Sequence, residues 1–278
     1  MADNLLVTTA WLMEHLSDDD LRIVDIRGHV LPANEPPPHY YAHRSEYEES
    51  HIPHAVFVDW ASDIVEPNSP SYDVANPQRY QNLMEALGIG DEHFVIAYDD
   101  ANGMFAARFW WTMKYYGHEQ VAILDGGWQK WIAENQPVSS DKPDISPTTF
   151  TPKPQAQWNS TASEIISNKP ILLDVRSRTE FAGEASRAKR KGHIPNAINI
   201  PRSKLVATDG TLRPVDELQQ IFTDAGLSLD AADVVVYCNS GVSASYGLIA
   251  LQKAGLSGGR VYDGSWKDWG NDDTKLVE

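Results

Sequence analysis

Leu124-Asp125-Gly126-Gly127-Trp128-Gln129-Lys130-Trp131 returns later in the chain as Tyr262-Asp263-Gly264-Ser265-Trp266-Lys267-Asp268-Trp269. Moving back from this pair, three more blocks repeat in the same order. Val95-Ile96-Ala97-Tyr98 returns as Val234-Val235-Val236-Tyr237, and His51-Ile52-Pro53-His54-Ala55 as His193-Ile194-Pro195-Asn196-Ala197. Val24-Asp25-Ile26-Arg27 returns as Leu173-Asp174-Val175-Arg176. The offset shrinks slowly along the chain, as expected of a duplicated domain that has lost short loop segments. A chain of 278 residues has room for two ordinary domains. The expected division is a first domain over 1–136, a linker over 137–158 and a second domain over 159–278. Pro137, Pro143, Pro147, Pro152 and Pro154, set among Ser, Thr and Lys, keep the linker out of helix.

Each half alternates short apolar runs with helical patterns. In the second half, 171–175, 197–200 and 234–237 read as buried strands rich in Val, Ile and Leu. Between them, 214–225 opens on Pro214 and sets Val215, Leu218, Ile221 and Phe222 at helical spacing. A second helix is expected over 243–254, stopped by Gly255. Alternating strands and helices predict an α/β fold in each half, a mainly parallel sheet with helices on both faces. Trp128, Trp131, Trp266 and Trp269 fall at the spacing of core positions.

The composition narrows the function. The formal net charge is −16, which argues against nucleic acid or an anionic membrane as partner. No apolar run approaches the roughly 18 residues of a membrane span. The segment MADNLLVTTAWLMEHL lacks a positive stretch and a small-residue cleavage site, so a mature soluble, cytoplasmic protein is expected. One cysteine and scattered histidines offer neither an internal disulfide nor a metal cluster, and no cofactor is called for.

That cysteine, Cys238, stands one residue past a predicted strand and just before a predicted helix, in Tyr237-Cys238-Asn239-Ser240-Gly241-Val242-Ser243. Ligands of parallel sheets bind at this end of the strands. A short loop there turns backbone N–H groups toward one point, and the helix adds its positive end. Such a cradle favours a thiolate and gives a nucleophile without a dedicated base. In the first half Asp99 occupies the matching place. A carboxylate there replaces the thiol, so that half is expected to be silent, with the Asp99 anion filling the cradle.

The tandem halves, the HIP-x-A and D-x-R blocks, the DGG/DGS-x-x-x-W block and the CNSGVSA loop together resemble the rhodanese family, over essentially the whole chain. The similarity is to its two-domain members, the thiosulfate and 3-mercaptopyruvate sulfurtransferases. The resemblance implies tandem rhodanese-like domains and ping-pong transfer of sulfane sulfur. Cys238 takes sulfur from a small anionic donor as a persulfide, and a thiophilic acceptor such as cyanide or a thiol removes it.

The resemblance also implies a donor. Thiosulfate-type members carry Arg and Lys after the cysteine, whereas this chain has Asn239 and Ser240. Mercaptopyruvate-type members carry a hydroxyl at the place of Ser240, which relays a proton. In them that hydroxyl pairs with a histidine that maps onto His51; a structural role is the simpler reading, since His193 echoes it without catalytic need. The family's acid before that histidine is missing from Pro38-His39-Tyr40-Tyr41-Ala42-His43. Where the family has a substrate arginine this chain has Glu180, with Arg178 as a nearby substitute and Arg187 as the expected carboxylate clamp. Arg187, Lys189, Arg190 and Lys191 form the densest basic run and a possible positive island. Asp25 with Arg27, and Asp174 with Arg176, read as structural ion pairs. The expected catalytic residues are thus Cys238 and Ser240, with Asn239, Gly241, Val242 and Ser243 forming the loop and Arg187, His51 and Arg178 binding substrate. Thiosulfate transfer and a persulfide relay between proteins stay open as alternatives. A cysteine phosphatase needs an arginine at the place of Ala244 and is set aside.

Overall fold

The computed structural model describes residues 5–278, so the first four residues of the expected first domain lie outside it. The first half contains strands β1 (Leu6–Val7), β2 (Leu21–Asp25), β3 (Gly28–Val30), β4 (Tyr40–Ala42), β5 (Ala55–Phe57), β6 (Phe94–Tyr98) and β7 (Val121–Leu124). Its helices are α1 (Thr9–His15), α2 (Arg44–Glu49), α3 (Pro77–Ala86), α4 (Met104–Tyr115) and α5 (Gly127–Ala133). The second half has β8 (Asn159–Ser160), β9 (Ile171–Asp174), β10 (Ile198–Asn199), β11 (Val234–Tyr237) and β12 (Gly259–Tyr262). Its helices are α6 (Ala162–Asn168), α7 (Arg178–Phe181), α8 (Val215–Asp224), α9 (Val242–Lys253) and α10 (Ser265–Trp269).

Each half forms a five-stranded sheet, in the order β1-β7-β6-β2-β5 and β10-β9-β11-β12-β8. Every pairing within these two sheets is parallel. The strand sequences explain this, since FVIAY and VVVY are apolar on both faces and need helices on both. In β6, Val95 and Ala97 pack in one apolar cluster with Tyr80 of α3 and Phe105 of α4, while Ile96 and Tyr98 join Leu12 of α1 and Trp131 of α5 in another. In β11, Val234 and Val236 pack with α8 and α9, while Val235 and Tyr237 pack with Ile165 of α6 and Trp266 and Trp269 of α10. Helix starts follow local chemistry: Asn76 accepts the Arg79 amide before Pro77, and Thr161 with Glu164 makes a capping box.

α4 and α9 pack against each other between the two sheets, and one apolar core runs through both halves. α4 is buried along nearly all its length, which suits its sequence MFAARFWWTMKY. Inside this seam the Arg108 guanidinium donates to Asp263 at 2.6 Å, an ion pair between the halves. The linker is extended but docked: Phe150 is buried, and the Lys153 and Gln155 amides donate to Tyr116 and Tyr115. No helix among the described residues is long and apolar enough to cross a membrane. The antiparallel β3–β4 hairpin leaves the end of β2 and reaches the second half, where the Arg187 guanidinium donates to the Leu31 carbonyl at 2.5 Å.

Candidate active site

Cys238 follows β11 directly and is a free thiol, buried at the floor of a cleft of about 540 Å³ that both halves line. Asn239, Ser240, Val242 and Ser243 line the cleft with it. Gly241 has φ +74 and caps α9 from behind. The loop is held from below by the repeated DGS block. Ser265 Oγ accepts the N–H of Cys238 at 3.1 Å and of Gly241 at 3.2 Å, and donates to the Tyr262 carbonyl at 2.7 Å. The Trp266 and Lys267 amides donate to the carbonyls of Cys238 and Asn239, both at 3.0 Å. Two loop amides expected to face the sulfur are therefore committed to Ser265. The N–H groups left for an anion are those of Asn239 and Ser240 and of the first turn of α9, which have no carbonyl partner within the helix.

The first half shows what the matching cradle holds. Asp99 is fully buried after β6. Its Oδ1 accepts from Ala101 and Gly103, both at 2.8 Å, and its Oδ2 from Phe105 at 2.7 Å and Ala106 at 2.9 Å. Burial pushes this carboxyl up, and the amides pull it back. The Asp99 carboxyl thus takes up the four amides of this loop.

Ser240 lies 3.2 Å from the Tyr40 hydroxyl, carried in by the β3–β4 hairpin. Burial keeps the Tyr40 phenol protonated far above its ordinary range, so it serves as a proton-bearing partner. Lys267 sits over the rings of Tyr40 and Tyr72, with its ammonium 4.7 and 4.1 Å from their centroids. Burial lowers that ammonium to about 8, with Arg187 acting the same way and Cys238 opposing. Arg202, just after β10, lines the cleft and donates to the Asn102 carbonyl at 3.0 Å. Burial lowers its hold on the proton, while Asp99 and Cys238 strengthen it.

Several expected substrate contacts are corrected. His51 is buried outside the cleft, with Nδ1 2.7 Å from the Tyr47 carbonyl and Nε2 3.0 Å from that of Asp141. Both ring nitrogens are occupied, so it ties the linker to the first half and does not reach Ser240. Arg178 is exposed at the start of α7 and does not line the cleft. Arg187 does line the cleft, but it is paired with Glu180 at 2.6 Å, and Glu180 also accepts from the Asn239 side chain at 2.8 Å. The basic run is no island: Arg190 donates to backbone carbonyls near the C-terminus and Lys189 pairs with Asp273. The Asp25–Arg27 and Asp174–Arg176 pairs are buried at 2.9 and 2.6 Å, as expected of structural pairs. Sequence reasoning passed over Arg202, Lys267 and Tyr40. Arg202 carried a signal, as it follows the second HIP block just past the end of a strand; Lys267 and Tyr40 meet only through the packing of the two halves.

The rhodanese-like domain model matches residues 8–134 and again 159–272. The chain belongs to the rhodanese family. This rhodanese is 32% identical to the sulfur carrier protein TtuD of Thermus thermophilus, over 96% of this chain and 94% of that protein. It is 35% identical to a Mycobacterium bovis relative named thiosulfate sulfurtransferase 1, over 82% and 85% of the two chains. Among solved structures, SseA of Escherichia coli, presented with the fold and mechanism of 3-mercaptopyruvate sulfotransferases, superposes with a TM-score of 0.83 at 30% identity, covering 94% of this chain and 98% of that one. The two rhodanese domains and these relatives make the chain a sulfurtransferase.

Proposed function

We propose that this chain moves sulfane sulfur from 3-mercaptopyruvate to a thiophilic acceptor, cyanide or a thiol, through a persulfide on Cys238. Cleft charge supports the choice of donor. Arg187 is neutralised by Glu180, and Asn239 and Ser240 are uncharged, so Arg202 is the lining guanidinium without a carboxylate partner among the described residues. One guanidinium suits one carboxylate, bound bidentately. The Cys238 thiolate attacks the donor's sulfur, the C–S bond breaks, and its electron pair passes to the pyruvate enolate. Ser240, with the Tyr40 hydroxyl behind it, relays the proton that turns the enolate into pyruvate. The first half, 1–136, serves as a silent wall behind the linker 137–158, with 159–278 carrying the chemistry. We infer a cytoplasmic location, where a free thiol stays reduced.

Incubation with each donor and cyanide, with thiocyanate as readout and Cys238→Ser as control, tests this. Strong turnover with mercaptopyruvate and little with thiosulfate is expected. The reverse establishes thiosulfate as donor, the choice that the name of the Mycobacterium bovis relative favours. No turnover with either, but uptake of one sulfur from a partner protein, makes the chain a carrier.

A further inference from the structure

Asp100, His43 and His29 form a hydrogen-bonded chain on the rim of the Cys238 cleft, and the chemistry above uses none of them. The Gly28 amide donates to Asp100 Oδ1 at 2.9 Å. Asp100 Oδ2 lies 2.6 Å from His43 Nδ1, and His43 Nε2 lies 2.8 Å from His29 Nδ1. The His29 ring stacks on Tyr41, 4.9 Å between centroids and 11° from parallel.

The order of protons follows from the donor inventory. A carboxylate only accepts, so the first proton sits on His43 Nδ1. Neutral His43 then presents a lone pair at Nε2, which accepts from His29 Nδ1–H. His29, which lines the cleft, is left with a bare Nε2. The two groups behind it fix its tautomer and hold its ring in place.

We propose that the Asp100–His43–His29 chain is the general base for thiol acceptors, a proposal that rests on the Cys238 persulfide read above. The acceptor's S–H bond breaks and its proton passes to His29 Nε2. The thiolate's electron pair bonds to the outer sulfur of the Cys238 persulfide. The S–S bond to Cys238 breaks, Cys238 leaves as a thiolate, and the acceptor departs as a persulfide. No external oxidant or reductant takes part.

The test separates loading from discharge. The protein is loaded with mercaptopyruvate, freed of donor, and mixed with dithiothreitol or with fully ionised sulfite, which has no proton to lose. The persulfide on Cys238 is followed by rapid quench and mass spectrometry. In Asp100→Asn the side-chain oxygen still accepts from Gly28, but the amide now donates to His43 Nδ1. Both histidine tautomers then reverse, and His29 Nε2 carries a proton. The ratio of dithiothreitol to sulfite discharge rates is expected to fall by about 100-fold in Asp100→Asn and in His29→Phe, the usual scale of general-base catalysis. An unchanged ratio in both variants, or equal losses with both acceptors, overturns the proposal. Wild-type protein that takes up no sulfur overturns the persulfide itself, and shows this before any acceptor is added.

Discussion

A Cβ on Gly241 would lie 2.5 Å from Arg108 Nη1 and 2.8 Å from Asp263 Oδ1, on a backbone at φ +74. Both neighbours are buried and paired, so neither yields cheaply. Gly241→Ala should cost about 1–3 kcal/mol in urea unfolding, through left-handed backbone strain and the clash. It should also slow sulfur loading, because the cysteine loop has to move. Lys267 supports a prediction about pH. Burial lowers its ammonium from 10.5 to about 8. Between those values the folded chain has released a proton that the unfolded chain still holds, so this group's contribution to stability rises with pH across that window. Stability measured against pH should rise more for wild type than for Lys267→Met from pH 8 to 10.5, and parallel curves would refute the assignment.

The same element, a strand followed by a loop and a helix capped by glycine, is built twice and used differently. After β6 the loop closes on a carboxylate; after β11 it is held by Ser265 and leaves the first turn of α9 to the cleft. Asp99→Ala should leave buried amides without an acceptor and cost about 3 kcal/mol. Hydrogen exchange at Ala101, Gly103, Phe105 and Ala106 should quicken, while Cys238 chemistry persists in whatever fraction stays folded. These elements were readable in the sequence. The helix expected over 243–254 forms as Val242–Lys253, and Gly255 follows it with φ +103. The strand at 234–237 forms as expected, because four consecutive apolar residues allow little else beside a parallel neighbour.

The two halves share one core and one buried ion pair, so they should unfold together. Tryptophan fluorescence and far-UV circular dichroism should report a single coincident urea transition. Arg108→Met leaves Asp263 buried without its cation and should cost about 3–5 kcal/mol. Adding Asp263→Asn should recover part of that loss, a coupling that a double-mutant cycle measures.

By itself the sequence determined the duplication, the parallel α/β halves, the lone thiol at a strand end and the carboxylate that stands at the matching place in its twin. Each of these rests on local pattern: apolar period, turn residues, and two blocks read side by side. Only the tertiary structure decided which cations and hydroxyls face that thiol. His51 was drawn off by the linker's carbonyl, Glu180 neutralised Arg187, and the β3–β4 hairpin brought Tyr40 onto Ser240 from 200 residues away. Such partnerships depend on how two folded halves dock, and no spacing along one chain encodes the geometry of that seam.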